Sequence, residues 1–349
     1  MVNTMTSNLT NWRQSATVII AAKTFVTSTS RCDYKILMVK RSRKSSVLPN
    51  ATVFPGGAVD KSDTSKNWLK LYEKFGFKSE WLDSLNSNID ISLLFKSDDE
   101  NEIPKSISLR IAAIRETFEE TGILMCKNIK NISEETSSWA DYITSEEIQK
   151  WQTKVNKNPN EFMKLCLHFE IFPDLWSLYD WNNWATPSVV RAKFNVMFFI
   201  AIFQSKPPAF ADNGEISDVQ WNSPSQYLDI WKAEKLSVTL PQFYEISRLN
   251  TFTNINDIQK FCKECSKRGL ERYMPCIIRT NTSGTFFLLP GDDLYSKYLD
   301  LSKEDVDYLE EMPDSDVQHR VQTLPTGESR VIIKNFSPPY HVAPISSKL

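Results

Sequence analysis

A large excess of charge of one sign, a long apolar run and a cysteine framework are all missing from this 349-residue chain. Lys and Arg total 41 against 43 Asp and Glu, so no overall field draws nucleic acid or an acidic membrane, and any anion site must be local. The longest apolar run, Val196 to Phe203, is far too short to span a bilayer. The amino end lacks the basic-then-apolar plan of a secretory signal. A soluble protein with no membrane span and no nucleic-acid partner is therefore expected. Cysteines 32, 126, 166, 262, 265 and 276 are scattered, which suits free thiols in a reducing compartment. Cys262 and Cys265 form a lone CxxC without a second ligand pair, and His168, His319 and His341 are too dispersed for a triad or a metal cluster. These residues are expected to be packing or surface positions.

What is present is a hydrophobic content of 41%, enough for a substantial core. Ala16 to Phe25 and Tyr34 to Lys40 are β-branched apolar runs around a polar turn, the pattern of a hairpin. Val53 to Gly57 reads as a short strand ending in a glycine pair. Helical spacing then begins, with Trp68, Leu71, Tyr72 and Phe75 at i, i+3, i+4 and i+7 behind a cap at Asp63, Thr64 or Ser65. Ser106 to Thr121 is a second helix, closed by Gly122. The stretch from about Ser133 to Asp180 reads as helical, and Lys193 to Phe203 as a strand. A further helix follows Pro241, and Cys276 to Thr280 with Thr285 to Leu289 read as a second hairpin. Strands before and after long helices, without regular βαβ alternation, favour an α/β sandwich over a doubly wound sheet.

The segment Arg115 to Ile123 carries the chemistry. On a helix Glu116, Glu119 and Glu120 project from one face within a single turn. Like charges at that spacing repel, whereas hard divalent ions need several carboxylate oxygens. Leu109, Ala112, Ala113 and Phe118 can bury the helix behind them. Taken alone, the triplet is either a solvated acidic turn or the ligand set of a divalent ion.

The surrounding pattern resembles the nudix box. Gly57 starts it, Asp63 holds its first acidic position, and Arg115 to Ile123 matches its second half. Asp63 replaces the usual Glu, Thr117 takes a slot normally bulky and apolar, and about 44 extra residues separate Asp63 from Arg115. The enlarged box is similar to that of peroxisomal coenzyme A diphosphatases. Phe54 to Gly57, Trp184 to Pro187, Leu240 to Phe243 and Leu289 to Asp292 extend that resemblance along the chain. Arg41-Ser42 also stands at the spacing of a coenzyme A signature, although Ser46 and Asn50 occupy its later Arg and Gly positions.

The resemblance implies a nudix α/β/α sandwich with a mixed sheet, enlarged by helical insertions. The nudix domain would cover 12–290, with a box insertion at about 64–106 returning to opposite sides of the site and a helical insertion at about 133–182. A C-terminal extension would follow at 291–349. Metal-dependent cleavage of coenzyme A or acyl-coenzyme A to 3′,5′-ADP and (acyl-)4′-phosphopantetheine is the implied activity. Alternatives are a diphosphatase of NADH or ADP-ribose, and a silent coenzyme A-binding module. Glu116, Glu119, Glu120 and the Gly56 carbonyl would gather Mg2+ or Mn2+, with Glu116 as base or water-linked ligand. Arg115 would act catalytically by orienting a neighbouring carboxylate, and Arg41, Ser42 and Arg43 would contact substrate. Glu215 is either a further ligand or base, or a plain turn carboxylate. Ser347, Lys348 and Leu349 form SKL, an address read by the peroxisomal import receptor, so a peroxisomal location is expected.

Overall fold

Strand β1 (Arg13–Lys23) is apolar at consecutive positions because both of its faces are buried. Ala16, Val18, Ile20 and Ala22 enter one apolar cluster, while Ile19 and Ala21 enter another on the opposite side. The computed structural model describes residues 9, 11–26, 31–45, 47–87, 91, 94–95, 99–132, 139–212, 214–265 and 268–346. The terminal tripeptide Ser347-Lys348-Leu349 lies outside the described residues.

After β1 come β2 (Tyr34–Arg41), β3 (Thr52–Val53), β4 (Gly56–Ala58), α1 (Asn67–Lys74), α2 (Ser79–Asp83) and α3 (Lys105–Thr121). The middle of the chain supplies β5 (Cys126–Asn128), α4 (Glu146–Lys157), α5 (Glu161–Phe169), β6 (Ile171–Pro173), β7 (Tyr179–Ala185) and β8 (Phe194–Phe203). Next are β9 (Ile216–Asn222), α6 (Pro224–Lys232), α7 (Leu240–Leu249), α8 (Ile255–Cys265) and β10 (Arg272–Tyr273). Strands β11 (Cys276–Thr280), β12 (Gly284–Leu288), β13 (Asp307–Leu309), β14 (Gln318–Thr323) and β15 (Ser329–Lys334) follow.

The main sheet runs β10-β7-β8-β1-β2-β3, with β4 added to β1 and β9 to β2. It is mixed: β1 pairs antiparallel with β2 and parallel with β8. One face packs on α1, α3, α4 and α5 through Trp68, Phe118, Val155 and Phe162. The other packs on α7 and α8 through Tyr244, Ile246 and Ile258. This is the expected α/β/α sandwich. Among the described residues no helix is long and apolar enough to cross a membrane.

The box excursion closes on itself. Ser65 and Glu102 form a β-bridge, and the Ile103 N–H donates to the Thr64 carbonyl at 3.0 Å. Its two ends therefore meet side by side, rather than returning to opposite sides of the site. Helix α1 has no side-chain cap, and Lys66 sits at its N-cap. Asp63, read from sequence as a cap candidate, is instead fully buried and turned toward α3.

Two boundaries change. The stretch 133–182 is not helical throughout: residues 171–173 are strand β6, and β7 starts at Tyr179 and joins the main sheet. The break expected at 290 cuts through a sheet of order β13-β11-β12-β14-β15, because β12 pairs with β14. Val321 and Val331 of that sheet share the second apolar cluster with α7, so it docks on the same body.

Buried polar contacts fix α7 against β7 and against that sheet. Glu245 accepts from the indoles of Trp181 and Trp184 at 2.8 and 2.7 Å and from Asn182 at 3.1 Å. Beside it, His319 Nδ1 meets the Pro290 carbonyl at 2.6 Å and Nε2 meets the Tyr244 hydroxyl. Burial, with Arg248 adding, pushes the His319 pKa from 6.5 down to about 3, although the Pro290 contact opposes the shift. An unfolded chain takes up that proton below about pH 6.5 while the folded chain does not. Stability present above pH 6.5 is therefore lost as pH falls toward about 3. We expect His319→Gln to flatten the acid limb of denaturant-derived stability by about 1.4 kcal/mol per pH unit. An unchanged slope between pH 6 and 4 would contradict a neutral buried imidazole.

Candidate active site

Helix α3 ends where Gly122 adopts φ 72° and its N–H closes on the Phe118 carbonyl at 2.9 Å. Its last turns carry the carboxylates, and β4 passes over them. At Gly57 a Cβ would sit 2.3 Å from Glu116 Oε2, so any side chain would push that carboxylate out of place. At Gly56 the φ of +150° and the Ala16 carbonyl, 2.3 Å from any Cβ, exclude a side chain. Thr117 fits its unusual slot because its hydroxyl donates to the Ala113 carbonyl at 2.7 Å.

Arg115 organises one half of the site. Its Nε and Nη2 donate to the two Asp63 oxygens at 2.8 Å each, a bidentate pair. Nη1 reaches Glu119 at 2.6 Å and Glu116 at 2.9 Å, and Nη2 also reaches the Ala58 carbonyl at 3.2 Å. Five contacts match the five donor hydrogens of a guanidinium. Burial works against this charge, but Asp63, Glu116 and Glu119 more than offset it and hold the Arg115 pKa well above its ordinary value.

Arg41, at the end of β2, serves the other half. It pairs with Glu215 and lies 3.8 Å from Glu120 Oε1. The second Glu120 oxygen accepts the Gly56 N–H at 2.9 Å. Gly56 thus reaches this carboxylate through its amide.

The acidic side chains outnumber their partners. Asp63, Glu116, Glu119, Glu120 and Glu215 face Arg115 and Arg41, five carboxylates against two guanidiniums. Burial is the main cause of the upward shifts on the glutamates: Glu116 is raised, Glu119 reaches about 7, and Glu120 is held well above its ordinary value. Repulsion adds to it, from Glu116 on both Glu119 and Glu120, and from Glu215 on Glu116 and Glu120. Such a cluster fits a divalent cation, which would relieve both effects. Among the described residues no trio of His, Cys, Asp or Glu side chains is already gathered as a ligand set, and Glu119 is turned to Arg115.

The structure brings Glu116, Glu119, Glu120, Arg115, Gly56 and Arg41 together. The predicted substrate run is divided: Arg41 is committed to carboxylates, the Ser42 hydroxyl is buried without a partner among the described residues, and Arg43 is exposed. The pairing of Arg41 with Glu215 was beyond sequence reasoning, since 174 positions separate them. Its one local signal is the turn that presents Glu215, where Asp212 accepts the N–H groups of Gly214, Glu215 and Ile216. All six cysteines are buried thiols outside any disulfide, including the CxxC pair on α8.

A family model described as the NUDT19 Nudix domain matches residues 12–249. An acyl-coenzyme A diphosphatase NUDT19 of Xenopus laevis is 35% identical over 325 residues, covering 86% of this chain and 85% of the relative. The Homo sapiens protein of the same name is 32% identical, with 86% and 83% covered. Among solved structures, a NUDIX hydrolase from Alicyclobacillus acidocaldarius superposes with TM-score 0.51 at 19% identity, over 72% of this chain and 97% of that one, a likeness of fold. With a matched family model spanning β1 to α7 and relatives alike along most of its length, the chain belongs to the NUDT19 Nudix family of hydrolases.

Proposed function

We propose that this nudix hydrolase cleaves the diphosphate of coenzyme A and acyl-coenzyme A, giving 3′,5′-ADP and (acyl-)4′-phosphopantetheine. The observation that carries the reading is the surplus of buried carboxylates on α3, set in a chain whose relatives are named acyl-coenzyme A diphosphatases. Divalent ions are the metals of such hydrolases. Held by Glu116 and Glu120, with Glu119 and the Gly56 carbonyl as further donors, Mg2+ or Mn2+ would neutralise the diphosphate and lower the pKa of an attacking water.

The chain's own groups do the rest. Glu116 keeps a side-chain exposure of 17%, which leaves its carboxylate in reach of water as a base or as a water-linked ligand of the ion. Arg115 is a positioning residue: its side chain is 2% exposed and its donors are spent on Asp63, Glu116, Glu119 and Ala58. It fixes the orientation of the carboxylates and touches no substrate. The SKL tripeptide supports a peroxisomal location and recognition by the import receptor as part of the same proposal.

The test is to incubate the protein with Mg2+ or Mn2+ and coenzyme A, an acyl-coenzyme A, ADP-ribose or NADH. We expect 3′,5′-ADP with the thioester intact, at higher kcat/KM than for the other nucleotides. A preference for ADP-ribose or NADH would overturn the substrate and keep the diphosphatase, and no cleavage of any of them would point to a silent binding module. Glu120→Gln should lower turnover by about a hundredfold or more, since even outer partners of metal ligands are worth ~10–100-fold. Glu119→Gln should do so nearly as strongly. Near-normal rates in both variants at saturating metal, with unchanged melting, would dislodge the site.

A further inference from the structure

Arg41 is held by two unlike sets of partners. Its Nε donates to the Val47 carbonyl at 2.8 Å and its Nη2 to the Ser45 hydroxyl at 2.7 Å, while the charge of the fork falls on Glu215 and Glu120. Glu120 is almost wholly buried, whereas the Glu215 side chain is 49% exposed. The backbone of Glu215 is pinned all the same: its carbonyl accepts the Ser42 N–H at 2.7 Å, and its own N–H donates to Asp212 at 3.1 Å. Arg41 thus stands at the rim with one neighbour inside the site and one facing water.

With Glu120 Oε2 taken by the Gly56 N–H, two cations cannot share Oε1 without repulsion. A divalent ion drawn to that carboxylate must displace the Arg41 charge from it. A displaced guanidinium keeps its planar fork, the shape that binds phosphate oxygens in pairs. The buried Ser42 hydroxyl, unpartnered among the described residues, lies one position along the chain.

We propose that Arg41 is an exchange residue: it neutralises Glu120 in the substrate-free enzyme, yields that carboxylate to the divalent ion, and turns its fork to the substrate's diphosphate. Glu215 is the positioning residue that retains Arg41 at the rim during the exchange. The inference rests on the divalent-ion reading of the preceding section and adds to it an order of events and a partner for each step.

The experiment uses the full chain and Mn2+ alone, titrated calorimetrically in the absence of substrate, followed by kcat and KM for an acyl-coenzyme A. Removing a unit charge beside Glu120, Arg41→Gln should bind Mn2+ about tenfold tighter, yet its KM should rise about tenfold. Arg41→Lys keeps the charge without the fork, so its Mn2+ affinity should stay near wild type while KM rises. Glu215→Gln leaves Arg41 to Glu120 alone and should weaken Mn2+ binding about threefold, a loss that disappears in the Arg41→Gln background. A purely structural role for Arg41 would not tighten metal binding.

Arg41→Gln that binds Mn2+ no tighter, or a Glu215→Gln loss that persists undiminished in the double variant, overturns the exchange. Should Arg41→Gln fail to melt cooperatively, Arg41→Lys and Glu215→Gln still decide: an unchanged KM in the first with unchanged Mn2+ affinity in the second overturns it. Wild-type protein that binds no Mn2+ overturns the divalent-ion reading itself, and this inference with it.

Discussion

The bidentate pair between Arg115 and Asp63 joins residues 52 positions apart and sits beneath the rest of the site. An arginine this deeply buried is tolerable only where every donor finds an acceptor, and here it also needs the nearby negative charge. Asp63 supplies two of the contacts and fixes the plane of the guanidinium. Glu116 and Glu119 then take their places from Arg115, and the Ala58 carbonyl ties β4 to the same group. Breaking such a pair by removing one partner would leave an uncompensated charge in the interior, at a cost of about 3–5 kcal/mol. The excursion between Asp63 and α3 is accommodated because Thr64 and Ser65 rejoin the chain at Ile103 and Glu102. Intervening residues can pack elsewhere without disturbing the pair, as Tyr72 does by donating to the Pro173 carbonyl at 2.7 Å.

A surplus of negative charge follows from the same arrangement. Arg115 satisfies Asp63 and steadies Glu116 and Glu119, but it cannot reach Glu120, whose charged neighbour is Arg41. The site therefore has a closed half, held by a fully buried guanidinium, and an open half, held by a guanidinium with a water-facing partner. The closed half gives the carboxylates a rigid backing that does not have to reorganise during the reaction.

Much of this was legible in the sequence, for stated physical reasons. The glutamate triplet is local to one helix, so its spacing puts it on a common face, whereas the glycine pair and Arg115 were joined to it by the resemblance to the nudix box. Strand β1 announced itself through continuous apolar residues. Strand β7 did not, since Tyr-Asp-Trp-Asn-Asn-Trp-Ala carries its polar groups inward: Arg110 meets Asp180 at 2.6 Å, Glu245 collects both indoles, and Asn183 donates to Asn195 at 2.8 Å. Partners of that kind are dispersed along the chain, and periodicity does not register them. The boundary at 290 failed in a similar way, because the pairing of β12 with β14 spans residues that look like a loose extension. Asp63 was legible as an acid of the box and also as a cap of α1, and only the fold shows that its partners are Arg115 and the Asp60 N–H.

If the surplus charge on α3 holds a divalent ion while Arg115 keeps Asp63 out of the ligand set, the ion touches Glu116 and Glu120 and leaves Asp63 paired. Anomalous scattering from a crystal of the protein soaked in Mn2+ reads this directly. The expected result is an anomalous peak in contact with the Glu116 and Glu120 carboxylates, with the Arg115 to Asp63 pair intact. A peak ligated by Asp63, or no peak at these carboxylates in a fully soaked crystal, would contradict it.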